Sequence, residues 1–510
     1  MGLFTSLFWL SFLLAPLLLL FKKKTDQSNK KHNKLPPSPP KLPIIGNLHQ
    51  LGELSHSSLS QLAHKYGLVM LLHLGRIPVV VVSSADAAKE VLKVNDLACC
   101  SRPKLAGIGK LTYNHLDVAF SPYSECWREL RKICVLEIFS TKRVKSFGSV
   151  REEEIWSLMD SISRSSTDLV NVTEKVFVVI GSIIFRTSFG KCFYGSKFDR
   201  AMFYELVHDV AIVAGSFSYE EFFPGFGWII DRISGHNGRV ERVFQELDTF
   251  FQQAIDDHLK PGRAKHEEDI IDVMLGIENE QIRELGDHAW LTKNHIKAVL
   301  LDMFLGGTDT SALTVIWAMT ELMRNPTLMK KAQDEVRGIV GKKGRVEQTD
   351  LDQLHYLKLI IKETLRLHPP APLLIAREAI SHLKINNYDI CPGTLIQINV
   401  WAIARDSNYW KNPEEFFPER FSDNTIDFKG QDFEFLPFGG GRRVCPGLYM
   451  GTVTVELLLA NLLYCFDWCL TDGMKQTYMN MEEQGGQCVT LNKKTPLILM
   501  PVKYLDAQAS

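Results

Sequence analysis

Residues 438–447 read FGGGRRVCPG, and the part played by Cys445 decides the fold. Helices accept proline in their first turn, so Pro446 announces one. Gly447 to Phe466, GLYMGTVTVELLLANLLYCF, is apolar nearly all round and predicts a buried helix. Cys445 therefore lies just before a helix N-terminus, where unpaired N–H groups and the dipole favour a thiolate. Gly439, Gly440 and Gly441 let the backbone approach something flat, and Arg442 and Arg443 add positive charge. A thiolate is one way a chain ligates heme iron, pushing electron density toward the metal. The other reading is a buried structural cysteine, the reading that fits Cys465 and Cys469. The glycines and arginines around Cys445 favour a ligand.

Upstream, AVLLDMFLGGTDTS (298–311) belongs to a long apolar helix. Thr292 is its predicted N-cap, and Asn325-Pro326 its end. Two glycines inside a helix cost roughly 1 kcal/mol each against alanine. Gly306 and Gly307 thus imply a close approach, to a flat cofactor or through a widened turn. Asp309 and Thr310 follow; by themselves they read equally as a polar interruption. Glu363 and Arg366, on a predicted helix Tyr356 to Leu367, share a face. Spacing alone reads them as a solvated pair worth tenths of a kcal/mol. Trp127 and Arg131, in WRELRKICVLEIF, are four apart on a helix that reads alone as a basic surface.

The 510 residues carry 45% apolar and 23% charged side chains, an ordinary globular balance, and a net charge of −1 gives no basis for nucleic-acid binding. Residues 3–21, LFTSLFWLSFLLAPLLLLF, would extend about 28 Å as a helix, roughly the hydrocarbon thickness of a bilayer. Six lysines follow within residues 22–34 against the single acid Asp26. The positive-inside tendency then places everything after the segment in the cytosol. A cleaved signal peptide fits less well, since no small-residue cleavage site is visible. Ten scattered cysteines without a CxxC pair fit a reducing compartment, where the sequon Asn171-Val172-Thr173 stays unmodified. LPPSPPKLP (35–43) is a stiff connector. These features divide the chain into an anchor and basic flank (1–24), a basic, proline-rich hinge (25–47) and one large domain (48–510). The domain reads as mainly helical with a small β-sheet region, its strands at Val79–Val82 and between Leu373 and Ile398.

With these residues in view, the chain resembles the cytochrome P450 superfamily, and its motif wording is similar to the plant A-type branch. Phe438, Gly441, Arg443, Cys445 and Gly447 match that family's heme-binding signature. Glu363 and Arg366 look like its Glu-x-x-Arg pair, and Pro418-Glu419-Arg420-Phe421 like the segment whose arginine joins them. Gly306 to Ser311 resembles the oxygen-activation motif, with Gly306 where many relatives have alanine, a change that enlarges the substrate space slightly. The resemblance covers essentially the whole chain, in order. It implies the cytochrome P450 fold around heme b (iron protoporphyrin IX), with Cys445 as axial ligand and Thr310 and Asp309 delivering protons. Trp127, Arg131, Arg377 and Arg443 would meet the heme propionates, and Glu363, Arg366 and Arg420 would form a buried network behind the cysteine loop.

The implied activity is oxidation of a hydrophobic plant specialised metabolite (terpenoid, alkaloid or phenolic) by O2. Electrons would come from NADPH through a separate cytochrome reductase, since no flavin or nicotinamide fingerprint is present. The reductase would dock near Lys132 and Arg442. The implied location is the endoplasmic reticulum membrane, single-pass, with the catalytic domain facing the cytosol. Substrate would touch 101–121, 216–226, 302–306, 371–376 and 487–489. Two alternatives stand beside this. A heme-thiolate isomerase or dehydratase would need no external electrons, and a non-catalytic heme-binding protein would need no oxygen-relay motif.

Overall fold

The computed structural model describes residues 34–164, 169–190, 218–263, 268–470, 479–484 and 489–504, with scattered positions between 206 and 215. The predicted anchor, most of its lysines, Cys192, Gln487 and Cys488 lie outside the described residues.

The chain folds around the long helix Lys293–Arg324. Thr292 caps it through an unusual partner: its N–H donates to His295 Nδ1 at 3.2 Å, and its hydroxyl lies 2.8 Å from the same nitrogen. Asn325 and Pro326 end it, and Pro326 opens the next helix, Pro326–Val340. The long helix packs most extensively on Val172–Phe189 and on Leu448–Cys465. Both it and Leu448–Cys465 have the length and apolarity of membrane spans, yet most of each is buried within the body. They are core helices, hydrophobic all round because they are covered all round. Val315, Ile316, Ala318 and Met319 of the first and Leu457 to Leu459 of the second share one apolar cluster. Each such side chain contributes roughly 1.5–3 kcal/mol of transfer free energy.

The largest sheet described has four strands, ordered Val69–Leu74, Ile77–Val82, Leu395–Ile398 and Arg377–Glu378. The first pair is an antiparallel hairpin (Val69 opposite Val82), the second pair parallel (Val79 opposite Leu395), and the third antiparallel. The valine run Val79–Val82 is buried, as its composition implies. The sheet fixes Arg377 at the start of its last strand. The Leu448–Cys465 helix begins after N-cap Gly447, so Pro446 precedes the helix rather than opening its first turn.

Candidate active site

The cysteine loop is built from its backbone. Cys445 N–H donates to Phe438 O at 3.0 Å and Val444 N–H to Gly441 O at 3.1 Å, closing a tight turn. Gly439 and Gly441 have φ of +68° and +66°, a region that side chains with a Cβ avoid. The close approach foreseen for these glycines is to the chain itself. A Cβ on Gly441 would lie 2.4 Å from Leu92 O and 2.6 Å from an Asp96 carboxylate oxygen.

The network that spacing alone assigned to solvent is buried, and it ties the helix His355–Leu367 to residues 404–420. Arg366 Nε and Nη2 donate to Glu363 Oε2 and Oε1 at 2.8 and 2.9 Å, and Arg420 Nε donates to Oε1 at 2.9 Å. Glu363 and Arg366 are both fully buried. Arg366 also donates to the carbonyls of Ala404, Pro413 and Glu415, and Glu363 Oε1 accepts from Phe417 N–H. All five N–H donors of Arg366 are thus occupied by hydrogen bonds, the condition under which buried ions are tolerable.

The cysteine opens on a cavity of about 330 Å³, within the range of small-molecule sites. Its walls include Arg131, Arg377, Arg443, Phe438, Cys445 and Gly447 on one side and Asp302, Gly306, Gly307, Asp309 and Thr310 of the long helix on the other. Burial pushes the Cys445 thiol up, and the Gly447 N–H and Arg131 pull it back only in part. The helix-end donors expected to favour a thiolate thus act against desolvation, and a bonded metal cation would favour the anion further.

Three predicted guanidiniums border the cavity. Arg131 donates to Val444 O. Arg377 donates to Asp96 at 2.9 Å and Gly440 O at 2.7 Å. Arg443 donates to the carbonyls of Cys100, Val118 and Ser121. A fourth, Arg102, escaped the sequence reading. It is buried, borders the same cavity, and donates to the carbonyls of Ala119, Ile375 and Ala376. Burial lowers Arg443 to about 10 and Arg102 well below the usual arginine range, with repulsion from Arg377 adding to both. A buried cation cluster that titrates downward fits an anionic group with two carboxylates. The thiol, the cations and the apolar remainder together suit iron protoporphyrin. Trp127 sits differently from expectation: its indole N–H donates to Val118 O at 3.0 Å, and Arg443 stacks on its ring at 3.8 Å. It steadies Arg443 and is absent from the cavity lining.

On the long helix, Gly307 allows contact with a neighbouring helix: its Cβ would lie 2.9 Å from Ile184 Cδ1. A Cβ on Gly306 would meet nothing within 4 Å, so this position leaves room in the cavity. Thr310 Oγ1 donates back to Gly306 O at 2.6 Å, and the Thr490 hydroxyl approaches Asp309 Oδ2 at 3.5 Å. Of the substrate-facing segments, 101–121, 302–306, 371–376 and Val489 contribute lining residues. Residues 218–226, the continuously described part of 216–226, do not; Phe222 instead accepts a hydrogen bond from Arg76 of the first hairpin. Ile180 and Ile184 line the cavity without any local sequence signal.

Comparison with known proteins agrees with this geometry. The family model described as Cytochrome P450 matches residues 36–499. Cytochrome P450 71B36 of Arabidopsis thaliana is 50% identical over 506 residues, covering 99% of both chains. Cytochrome P450 71B37 of the same plant is 51% identical over 505 residues, again 99% of both. A zebrafish cytochrome P450 solved with progesterone superposes with a TM-score of 0.72 at 22% identity, covering 88% of this chain and 99% of that one.

Proposed function

The chain belongs to the cytochrome P450 family of monooxygenases, whose cofactor is heme b with a cysteine ligand, and from that premise we propose that Cys445 is the ligand here. The observation that carries the assignment is that, of the two thiols lining the cavity, Cys134 and Cys445, Cys445 stands in the glycine-rich turn before a helix N-terminus, on a cavity also bordered by buried guanidiniums. Phe438, Arg443 and Gly447 hold the cysteine loop against the cofactor. Arg131, Arg377 and Arg443 bind the propionates, with Trp127 acting through Arg443. Glu363, Arg366 and Arg420 keep the loop's support rigid. The substrate is a hydrophobic plant specialised metabolite, terpenoid, alkaloid or phenolic.

Heme held by Cys445 and the guanidiniums would supply the oxidation chemistry, in which O2, two electrons and two protons yield one oxygen atom in the substrate and one water. The chain's share is positioning and proton supply. The apolar walls hold the substrate and exclude bulk water. Thr310 Oγ1, released from its bond to Gly306 O, holds a water and passes a proton through it, and Asp309 replenishes that proton from outside. Thr310→Ala is expected to lower product formed per NADPH consumed about tenfold or more, with peroxide as the balance. Stopped-flow NADPH oxidation with product and peroxide quantitation checks this; unchanged coupling removes Thr310 from the relay.

Electrons arrive from NADPH through a separate reductase, docked on the face that carries Lys132 and Arg442. Residues 1–24 anchor the chain in the endoplasmic reticulum membrane in a single pass, residues 25–47 form the hinge, and 48–510 work in the cytosol. Two observations support this orientation. Leu42, Ile44, Phe226, Trp228 and Ile233 are exposed, and the hairpin turn Gly75–Arg76 bonds both Ile45 O and Phe222 O, which brings the segments around Ile44 and Phe222 together. At the sequon, Asn171 Oδ1 caps the following helix and Thr173 Oγ1 accepts from Leu497 N–H, so the fold uses both side chains. Deleting residues 1–24 is expected to move most of the protein from the membrane pellet to the salt-washed supernatant. Full retention in the pellet would mean that the exposed apolar residues suffice for attachment.

A further inference from the structure

Asp302 interrupts the apolar run of the long helix, and the oxygen relay has no use for it. One edge of Asp302 faces the cavity. Its Oδ2 accepts from Val118 N–H at 2.7 Å and from Ala119 N–H at 3.2 Å. Asp117, at the start of the same loop, is buried, and its Oδ2 accepts from Phe120 N–H at 2.5 Å. Val118, whose N–H bonds Asp302 Oδ2, is the residue next to Asp117, so the two carboxyls adjoin. Asp117 Oδ1 and Asp302 Oδ1 are both sealed from solvent, and neither receives a donor from any other group. Two carboxylate oxygens cannot bond each other without a proton between them. Two ionised carboxylates in contact within a dry wall repel strongly, and such pairs hold one proton between them.

We propose that Asp117 and Asp302 share a single proton, and that this acid–carboxylate pair positions the Val118–Phe120 wall of the cavity against the long helix. The loop is a junction. Its N–H groups go to the pair, while Val118 O and Ala119 O accept from Trp127, Arg443 and Arg102. Without the pair, the N–H groups of Val118, Ala119 and Phe120 would lose their acceptors, and the wall would have no tie to the helix. Asp302 is thus a positioning residue. With Oδ2 occupied by two N–H groups and Oδ1 sealed from solvent, neither oxygen is open to a substrate cation. The position therefore suits a neutral part of the substrate.

The groups facing the pair are Arg443 and Arg102 on the Asp117 side, and Arg131 and the buried Cys134 thiol on the Asp302 side. Burial raises Asp117 to about 6, and burial together with Asp117 raises Asp302 well above the carboxylate range. The native chain thus keeps protons that the unfolded chain has lost. The pair's contribution to stability is greatest in acid and declines as pH rises through about 6 and beyond.

The significance for oxidation rests on the heme-thiolate reading, but the test does not. Infrared difference spectra of the heme-loaded full chain, wild type minus variant, are recorded at neutral pH with and without deuterium exchange. Both Asp302→Asn and Asp117→Asn are expected to remove the same deuterium-sensitive carboxylic-acid band, because either leaves a single ionised carboxylate. Loss of no acid band in either variant overturns the proposal, as does loss in one alone. Affinity for phenylimidazole, an apolar ligand that enters the cavity, reports the wall. Asp302→Ala should weaken it about tenfold, while Asp302→Asn, which reproduces the donor and acceptor of the protonated acid, should restore it. Equal weakening by both overturns the positioning role. The carbon monoxide spectrum of each sample separates these outcomes from a failure of the cysteine assignment.

Discussion

Cys445→Ala is expected to abolish the sulfur-ligated spectrum of the reduced carbon monoxide complex and to bring monooxygenation to background. Burial raises the Cys445 thiol, while the Gly447 N–H and Arg131 oppose that rise. Alanine removes the ligand but leaves the Arg131 bond to Val444 O in place. The turn itself should survive, because the bonds from Cys445 N–H to Phe438 O and from Val444 N–H to Gly441 O belong to the backbone. The variant is therefore expected to fold, with circular dichroism close to wild type. A retained sulfur-type spectrum in this variant refutes the ligand assignment.

The second large effect lies far from the chemistry. Glu363→Gln keeps the shape of the side chain but removes the anion from between Arg366 and Arg420. Two guanidiniums then sit buried without a counter-charge, a change that typically costs about 3–5 kcal/mol. Chemical denaturation should show that loss, together with faster heme release, since the network ties the helix His355–Leu367 to residues 404–420. Lys330→Ala, which breaks the exposed Lys330–Asp334 pair, is the control and should cost under about 1 kcal/mol. Equal effects of the two substitutions would mean that the buried network contributes no more than a surface pair.

Much of this was legible in the sequence because it is local. Periodicity and caps located the long helix, the Leu448–Cys465 helix and the valine strand within a few residues. The cysteine loop could be read because glycine, proline and a thiol each carry a strong local constraint. What escaped depends on distant chain segments meeting. Glu363 and Arg366 look like a surface pair until Arg420 and four backbone groups close around them. The sequence reads Gly307 as a close approach to a cofactor or a widened turn; it does border the cavity, but its contact with Ile184, on a neighbouring helix, was not legible. Arg102 is one arginine among many in the sequence; only the fold buries it beside Arg443 and Arg377. Likewise, nothing in the spacing of Asp117 and Asp302, on a loop and a helix far apart in sequence, foretells that their carboxyls meet.

The central claim is a bond between one sulfur atom and iron. Iron K-edge X-ray absorption on the purified full chain loaded with heme tests it most directly. A sulfur neighbour in the first coordination shell, present in wild type and absent in Cys445→Ala, is the predicted result. A wild-type shell made only of nitrogen and oxygen contradicts the account.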